Sequence, residues 1–432
     1  RDAEDVRRQH VAGELDAREL ESEQAGEGVR QGGLAHAGQI FNQQVAFCQQ
    51  AAECKAGLRG FSENYGIGGG KNFADCRRTG SGWHGWHGLS WWRNWDDNKP
   101  LANNSIYRGF RRSGGCRLRQ KGYTVTSTAF ISHSDCQLHD MGSYHPETPE
   151  RLHAISDHMI AQGLDSYFSY HEAPSATFQQ LKRVHTAAHL ERLKRAAPEL
   201  GIVHLDPDTA MNRYTWQAAL RAAGAGVKAV DLVMAGDVEN AFCAVRPPGH
   251  HAERAAAMGF CFFNNIAVAA AHALEAHHLS RVAVIDFDVH HGNGTEDCFK
   301  KDPRVLMVST FQHPFYPYSG TVSPAANMLN IPLGRGTDGE EFRRVVSDLW
   351  MPRLHEFRPE MLFISAGFDG HYEDEMGGLK LLEKDYAWVT EQMKQVAEEH
   401  AQGRIVSMLE GGYSLSALAR SVVAHIRVLA AI

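Results

Sequence analysis

Residues 286–294 read Asp-Phe-Asp-Val-His-His-Gly-Asn-Gly, directly behind the apolar run Val282-Ala283-Val284-Ile285. Two aspartates and two histidines thus fall within six positions. If the strand continues through them, alternation turns Asp286, Asp288 and His290 to one side and Phe287 and Val289 to the other. Carboxylate and imidazole groups gathered at a strand end are metal-ligand chemistry. Three other segments offer complementary groups. Arg246-Pro247-Pro248-Gly249-His250-His251 follows the apolar Ala241–Val245 and holds two adjacent histidines on a stiff, irregular backbone suited to proton transfer. Leu362–Ala366 leads through Gly367-Phe368 into Asp369, and Met408-Leu409 leads through Glu410-Gly411-Gly412 into Tyr413. Together they supply ligands, a histidine pair and a phenol donor, the parts of a metal-assisted hydrolysis.

These groups need a frame that ends several strands at one level. Helical patterns run over 214–235, 264–279, 339–357, 383–402 and 414–431, between the short apolar runs. Strand and helix alternate. That order predicts a three-layer α/β/α domain around a mainly parallel central sheet, with function in the loops after the strands.

Composition bounds the rest. The 432 residues are 43% hydrophobic with net charge −7, enough for a large core and no general attraction to nucleic acid. No apolar run approaches the ~18 residues of a membrane span, and no basic-then-apolar leader opens the sequence. Cys136, Cys243, Cys261 and Cys298 are scattered without a Cys-x-x-Cys pair, as reduced thiols in a cytoplasm would be. Residues 1–123 differ from the remainder: 18 Lys+Arg against 14 Asp+Glu, 20 of the 41 glycines, and only 19 Leu, Ile, Val and Phe. All 12 methionines lie at or beyond Met141. The stretch reads as translated upstream DNA or as a disordered tail with a Trp-rich binding segment at Trp83–Trp95, and the catalytic domain is expected over 124–432.

From about residue 124 onward the chain resembles the zinc-dependent histone deacetylase family, of the arginase/deacetylase fold. Besides the segments above, the resemblance rests on His139-Asp140-Met141-Gly142, Pro146-Glu147-Thr148-Pro149-Glu150-Arg151-Leu152, Val184-His185-Thr186, Asp206-Pro207-Asp208-Thr209 and Gly259-Phe260-Cys261-Phe262-Phe263-Asn264-Asn265. Asn293 is similar to the class II branch and its bacterial deacetylase-like amidohydrolases.

The resemblance implies that Asp288, His290 and Asp369 bind Zn²⁺, that His251 is the general base, and that His250 is its electrostatic partner. Asp286 would hold His250, Asn293 would hold His251, and Tyr413 would donate to the oxyanion. An Asn between two glycines serves a turn equally well. Phe260 and Tyr316, the latter where many relatives carry phenylalanine, would wall an acyl-lysine tunnel together with Gly259, Gly411, Gly412 and Met376. Met376, His313 and His371 read as rim or surface residues. A potassium ion would sit at the Ser309 hydroxyl and Asp286, with the backbones of Asp288, His290 and Thr310. A second would take the carbonyls of Phe299, Asp302 and Val305. Ureohydrolases of the same fold need an acid where this chain has Gly292, which argues against a two-metal centre. An acetyl-lysine reader without catalysis is the other alternative, and Tyr413 favours the enzyme. The implied substrate is an acetylated protein or peptide. An acetylpolyamine comes second, because Met376 is apolar while Glu373, Asp374 and Glu375 lie beside it.

Overall fold

Eight apolar runs form one sheet in which every hydrogen-bonded neighbour is parallel, and residues 128–432 are those described by this computed structural model. In chain order the strands are β1 (Thr128–Ser132), β2 (Phe168–Glu172), β3 (Val203–His204), β4 (Ala210–Met211), β5 (Asn240–Cys243), β6 (Val282–Asp286), β7 (Val305–Gln312), β8 (Met328–Leu333), β9 (Leu362–Ala366) and β10 (Ile405–Leu409). The large sheet has the order β2-β1-β5-β10-β9-β6-β7-β8, and β3 with β4 makes a separate antiparallel ribbon. The expectations for residues 1–123 lie outside the described residues.

Burial explains why the inner strands read as unbroken apolar runs. Every residue of β5, β6, β7, β9 and β10 is buried, as both faces of a parallel sheet are when helices cover them. The edge strands are only partly covered: β2 alternates, whereas β8 is buried at its two ends and carries Pro332, which a central strand would not accommodate. In β10, Ser407 bonds to His425 of helix Leu415–Leu429. The next residue, Met408, faces the other way. A Cβ on Gly226 of helix Thr215–Ala235 would approach its sulfur at 2.9 Å. Adjacent strand residues touching different helices place a helical layer on each face, which is the three-layer architecture the pattern predicts.

Register sets the height of the strand ends. Cys243 pairs with Met408, Met408 with Ser365, Ser365 with Asp286, and Asp286 with Ser309. The loops after β5, β10, β9 and β6 therefore open at one level from four adjacent central strands. The helix expected over 339–357 is continuous but contains a π-turn at Val346–Trp350. Among the described residues all four cysteines are free, and no helix is long and apolar enough to cross a membrane.

Candidate active site

β6 stops at Asp286, so the alternation expected through His290 is not strand geometry. The chain bends there and its own carboxylates pin it. Asp286 Oδ1 accepts from Asp288 N at 3.1 Å, and Asp288 Oδ1 accepts from His290 N at 2.9 Å. Phe287 and Val289 still enter the core. The expected separation of polar and apolar sides survives, held by side-chain-to-backbone bonds rather than by a ladder.

Across the gap, Val289 N donates to Asp369 Oδ1 at 2.9 Å, which ties the loop after β9 to the one after β6. Asp288, His290 and Asp369 consequently meet, with ligand atoms all within 4.8 Å of one another. His290 Nδ1 lies 3.0 Å from Asp288 Oδ1 and 3.2 Å from Asp369 Oδ2. Asp369 Oδ2 is buried and has no hydrogen-bond partner. Burial and the Asp288 charge push the Asp369 carboxyl up to about 7. Two buried carboxylates and an imidazole around an unsatisfied oxygen are an electrostatic cost that a dication would offset, and the oxygen and nitrogen donor set fits zinc. Two other ligand-type groupings, Asp231-His272-His277 and His355-Glu399-His400, include exposed acids, whereas this one is buried throughout. A Cβ on Gly292 would collide with Asp286 Oδ2, so no acid fits where a second metal would need one.

The histidine pair descends from the loop after β5, where Arg246–Pro247 is a cis peptide. Glu410, fully buried, accepts from Gly249 N at 2.7 Å, His250 N at 3.1 Å and Ser365 Oγ at 3.2 Å, fixing the backbone that carries the pair. His250 Nδ1 lies 3.0 Å from Asp286 Oδ2, and His251 Nδ1 lies 2.8 Å from Asn293 Oδ1, with the rings 4.0 Å apart. Burial alone would lower His250, but the Asp288 and Asp286 carboxylates outweigh it and lift the imidazole to about 10. Burial and the neighbouring His250 and His290 hold His251 well below the ordinary range. One ring is set up as a cation and its neighbour as a neutral base.

Tyr413 is placed by its backbone. Asp374 Oδ2 accepts from Tyr413 N at 2.6 Å and Ser414 N at 3.0 Å, while Arg151 Nε donates to Gly412 O at 2.7 Å and Nη2 to Glu410 O at 2.5 Å. Buried Glu147 pairs with both Arg151, at 3.0 Å, and Arg246, whose Nη2 reaches it at 2.7 Å. Gly412 has φ +121, a conformation that excludes a side chain. Burial pushes the Tyr413 phenol well above its usual value, so its proton stays on oxygen.

A cavity of about 270 Å³ opens over these groups, with His251, His290 and Tyr413 at its base and Phe260, Phe315 and Tyr316 as walls. Phe260 meets Tyr413 edge-on at 5.9 Å, and Phe315 stacks on His290 at 5.3 Å. Gly259 lines it for want of space: a Cβ there would come 2.5 Å from His251 Cδ2. Met376 lines the cavity, as do Asp208 and Glu375. Gly411 and Gly412 do not. Gly411 N instead donates to Asp288 Oδ2 at 2.9 Å, so the pair positions rather than walls.

Three further expectations are corrected. The carbonyls of Phe299, Asp302 and Val305 do converge, but on the amide nitrogen of Asn327, at 2.8, 3.0 and 2.9 Å, which takes the place of the second potassium. His371 is buried, not at the rim. Asp374 is buried as well, spent on the Tyr413 loop. At the first expected potassium site the Ser309 hydroxyl is buried without a partner beside Asp286, and Thr310 is buried next to it. Glu410 and Phe315 were not picked out from the sequence, where a strand-end Glu and a Phe among aromatics give no distinguishing signal. The i, i+4 spacing of Glu147 and Arg151 is a signal that could have been read.

Known proteins resemble the chain over the same described residues. The histone deacetylase domain matches residues 145–429. A probable deacetylase of Archaeoglobus fulgidus is 35% identical over 296 residues, covering 67% of this chain and 82% of that protein. A histone deacetylase-like amidohydrolase of Pseudomonas aeruginosa is 36% identical over 277 residues, 62% of this chain and 73% of that one. The crystal structure of the HDA15 HD domain superposes with TM-score 0.67 at 32% identity, covering 71% of this chain and 89% of that chain.

Proposed function

The chain belongs to the histone deacetylase family and is a hydrolase, and from that premise we propose that it hydrolyses the acyl amide of N-acetyl-lysine in proteins or peptides with zinc as cofactor. The observation that carries this reading is the buried Asp288-His290-Asp369 set, with its unpartnered oxygen, at the base of an aromatic-walled cavity beside the histidine pair.

Zinc held by those three side chains would supply a Lewis acid for the acyl oxygen and lower the pKa of an attacking water. His251, neutral, takes the water proton as the water oxygen bonds to the acyl carbon. It later passes that proton to the departing amine as the carbon–nitrogen bond breaks, and the water's second proton leaves to solvent as the released acid ionises to acetate. His250, cationic against Asp286, stabilises the negative charge that develops beside it. The Tyr413 hydroxyl donates to the oxyanion. Phe260 and Tyr316 pack along the acyl-lysine methylenes, with Phe315 as a third wall, and exclude water.

Acetylpolyamine is the second substrate reading, favoured by Asp208 and Glu375 at the cavity. Of the three acids expected to attract a cation, Glu373 pairs with Arg420 and Asp374 is internal, leaving Glu375. Side-by-side turnover of an acetyl-lysine peptide and acetylspermidine decides between them. The partnerless Ser309 hydroxyl supports one structural potassium ion beside Asp286. The four free cysteines among the described residues support a reducing compartment such as the cytoplasm. Activity on the peptide should vanish when metal is stripped by a chelator and return with zinc, and full turnover by stripped protein would sink the zinc reading.

A further inference from the structure

Asn293 faces two ways. Its Oδ1 meets His251 Nδ1 at 2.8 Å, while its Nδ2 lies 2.9 Å from Glu253 Oε1 and 3.3 Å from Met258 Sδ. An amide, unlike a carboxylate, has chemically different ends, and the end that faces His251 selects which ring nitrogen carries the proton. With Oδ1 toward the ring, Nδ1 holds the hydrogen and Nε2 keeps its lone pair. Turned over, the amide would donate to Nδ1 and leave the hydrogen on Nε2, and the ring would have no free lone pair with which to accept a proton.

What prevents the turn is the pair of groups behind the amide. A carboxylate and a thioether both accept, and neither donates. A reversed Asn293 would set its carbonyl oxygen against the Glu253 carboxylate. The backbone that carries each acceptor is itself fixed. Glu253 N donates to Ala256 O at 2.9 Å, Glu253 O accepts from His185 Nδ1 at 3.0 Å, and Met258 exchanges backbone bonds with Cys261.

We propose that Glu253 is a positioning residue which, with Met258, fixes the direction of the Asn293 amide and thereby the proton-accepting nitrogen of His251. The inference rests on the reading of His251 as general base. It also gives a reason for an amide at position 293, because an aspartate there would confront Glu253 as a like charge across one hydrogen-bond length.

The test is a cycle on the zinc-loaded enzyme with an acetyl-lysine peptide, reading kcat and KM separately, with thermal midpoint and zinc content as controls. Glu253→Ala should lower kcat about 10- to 100-fold, the range for groups that orient a ligand or base, with KM little changed. Asn293→Asp should also lower kcat. Glu253→Gln should cost roughly threefold in the Asn293 background, since its amide can present either end, and should raise kcat about tenfold in the Asn293→Asp background by removing the repulsion and donating to Asp. That reversal of sign is what a merely structural Glu253 cannot give, and a Glu253→Gln loss of the same size in both backgrounds overturns the proposal. If Glu253→Ala does not fold, the two Gln variants carry the test alone. His251→Ala separates the two levels: retained turnover would refute the general-base reading, whereas its loss without the sign reversal would refute only the role of Glu253.

Discussion

Tyr413→Phe removes one hydroxyl and nothing that holds the residue in place. The bonds that position Tyr413 run through its backbone, to Asp374 Oδ2 at 2.6 Å, and through Gly412 O, which accepts from Arg151 at 2.7 Å. The ring contacts with Phe260 and the Arg151 guanidinium, 4.9 Å from the ring centroid, are open to phenylalanine too. The variant should therefore fold and melt as the parent does and keep KM within a few-fold. Its chemistry should suffer. Loss of one oriented donor to a developing oxyanion costs about 2.7–4 kcal/mol, or about 10²- to 10³-fold in kcat. Burial keeps the phenol protonated far above neutral pH, so the deficit should be constant from pH 6 to 9 and not a shifted titration. The assay is steady-state acetate release by zinc-loaded protein, with thermal melting in parallel. A kcat within twofold of the parent would remove Tyr413 from the mechanism. A fall in kcat accompanied by a large loss of thermal stability would show instead that the hydroxyl is structural.

A Cβ on Gly411 would collide with Asp369 Oδ2 and approach Asp288 Oδ2 at 2.7 Å, so Gly411→Ala should reduce bound zinc well below one equivalent, read by elemental analysis. Retained stoichiometry would contradict the assignment of those carboxylates. Glu147→Gln leaves Arg151 and Arg246 buried without their charge partner and should cost about 3–5 kcal/mol in urea unfolding, and a change under 1 kcal/mol would refute the network's structural role. His425 is buried between Thr390 and Ser407, and burial lowers its pKa to about 3. The fold therefore favours the neutral ring: its contribution is complete above pH 6.5 and is lost as pH falls from there toward 3, at about 1.4 kcal/mol per unit. His425→Gln should flatten the acid side of the urea-midpoint profile, and an unchanged slope would show that His425 does not set it.

The groups legible in the sequence are those that sit within a few residues of a strand end. Asp286, Asp288, His290, Asp369 and the His250–His251 pair were all predictable because an apolar run of four or five residues sets where the strand stops, and parallel register brings the stops level. Even there the local geometry differed: self-capping carboxylates, not strand pleat, turn Asp288 and His290 toward Asp369. What could not be read was the fate of neighbours. Glu373, Asp374 and Glu375 are three consecutive acids, indistinguishable by type, yet one pairs with Arg420 from helix Leu415–Leu429, one caps the Tyr413 loop and one lines the cavity. Arg420 lies 47 residues beyond Glu373 and Tyr413 39 beyond Asp374, and no short-range rule links them. Asn327 makes the same point for the expected potassium ion. Three carbonyls within seven residues look like a cation cradle until the fold delivers an amide nitrogen from the residue just before the next strand. Local spacing specifies which groups can converge, and long-range packing decides what they meet. Of the three adjacent acids only Glu375 therefore reaches the cavity, where Asp208 joins it, so the run of acids beside the site does not by itself measure the charge at its lining.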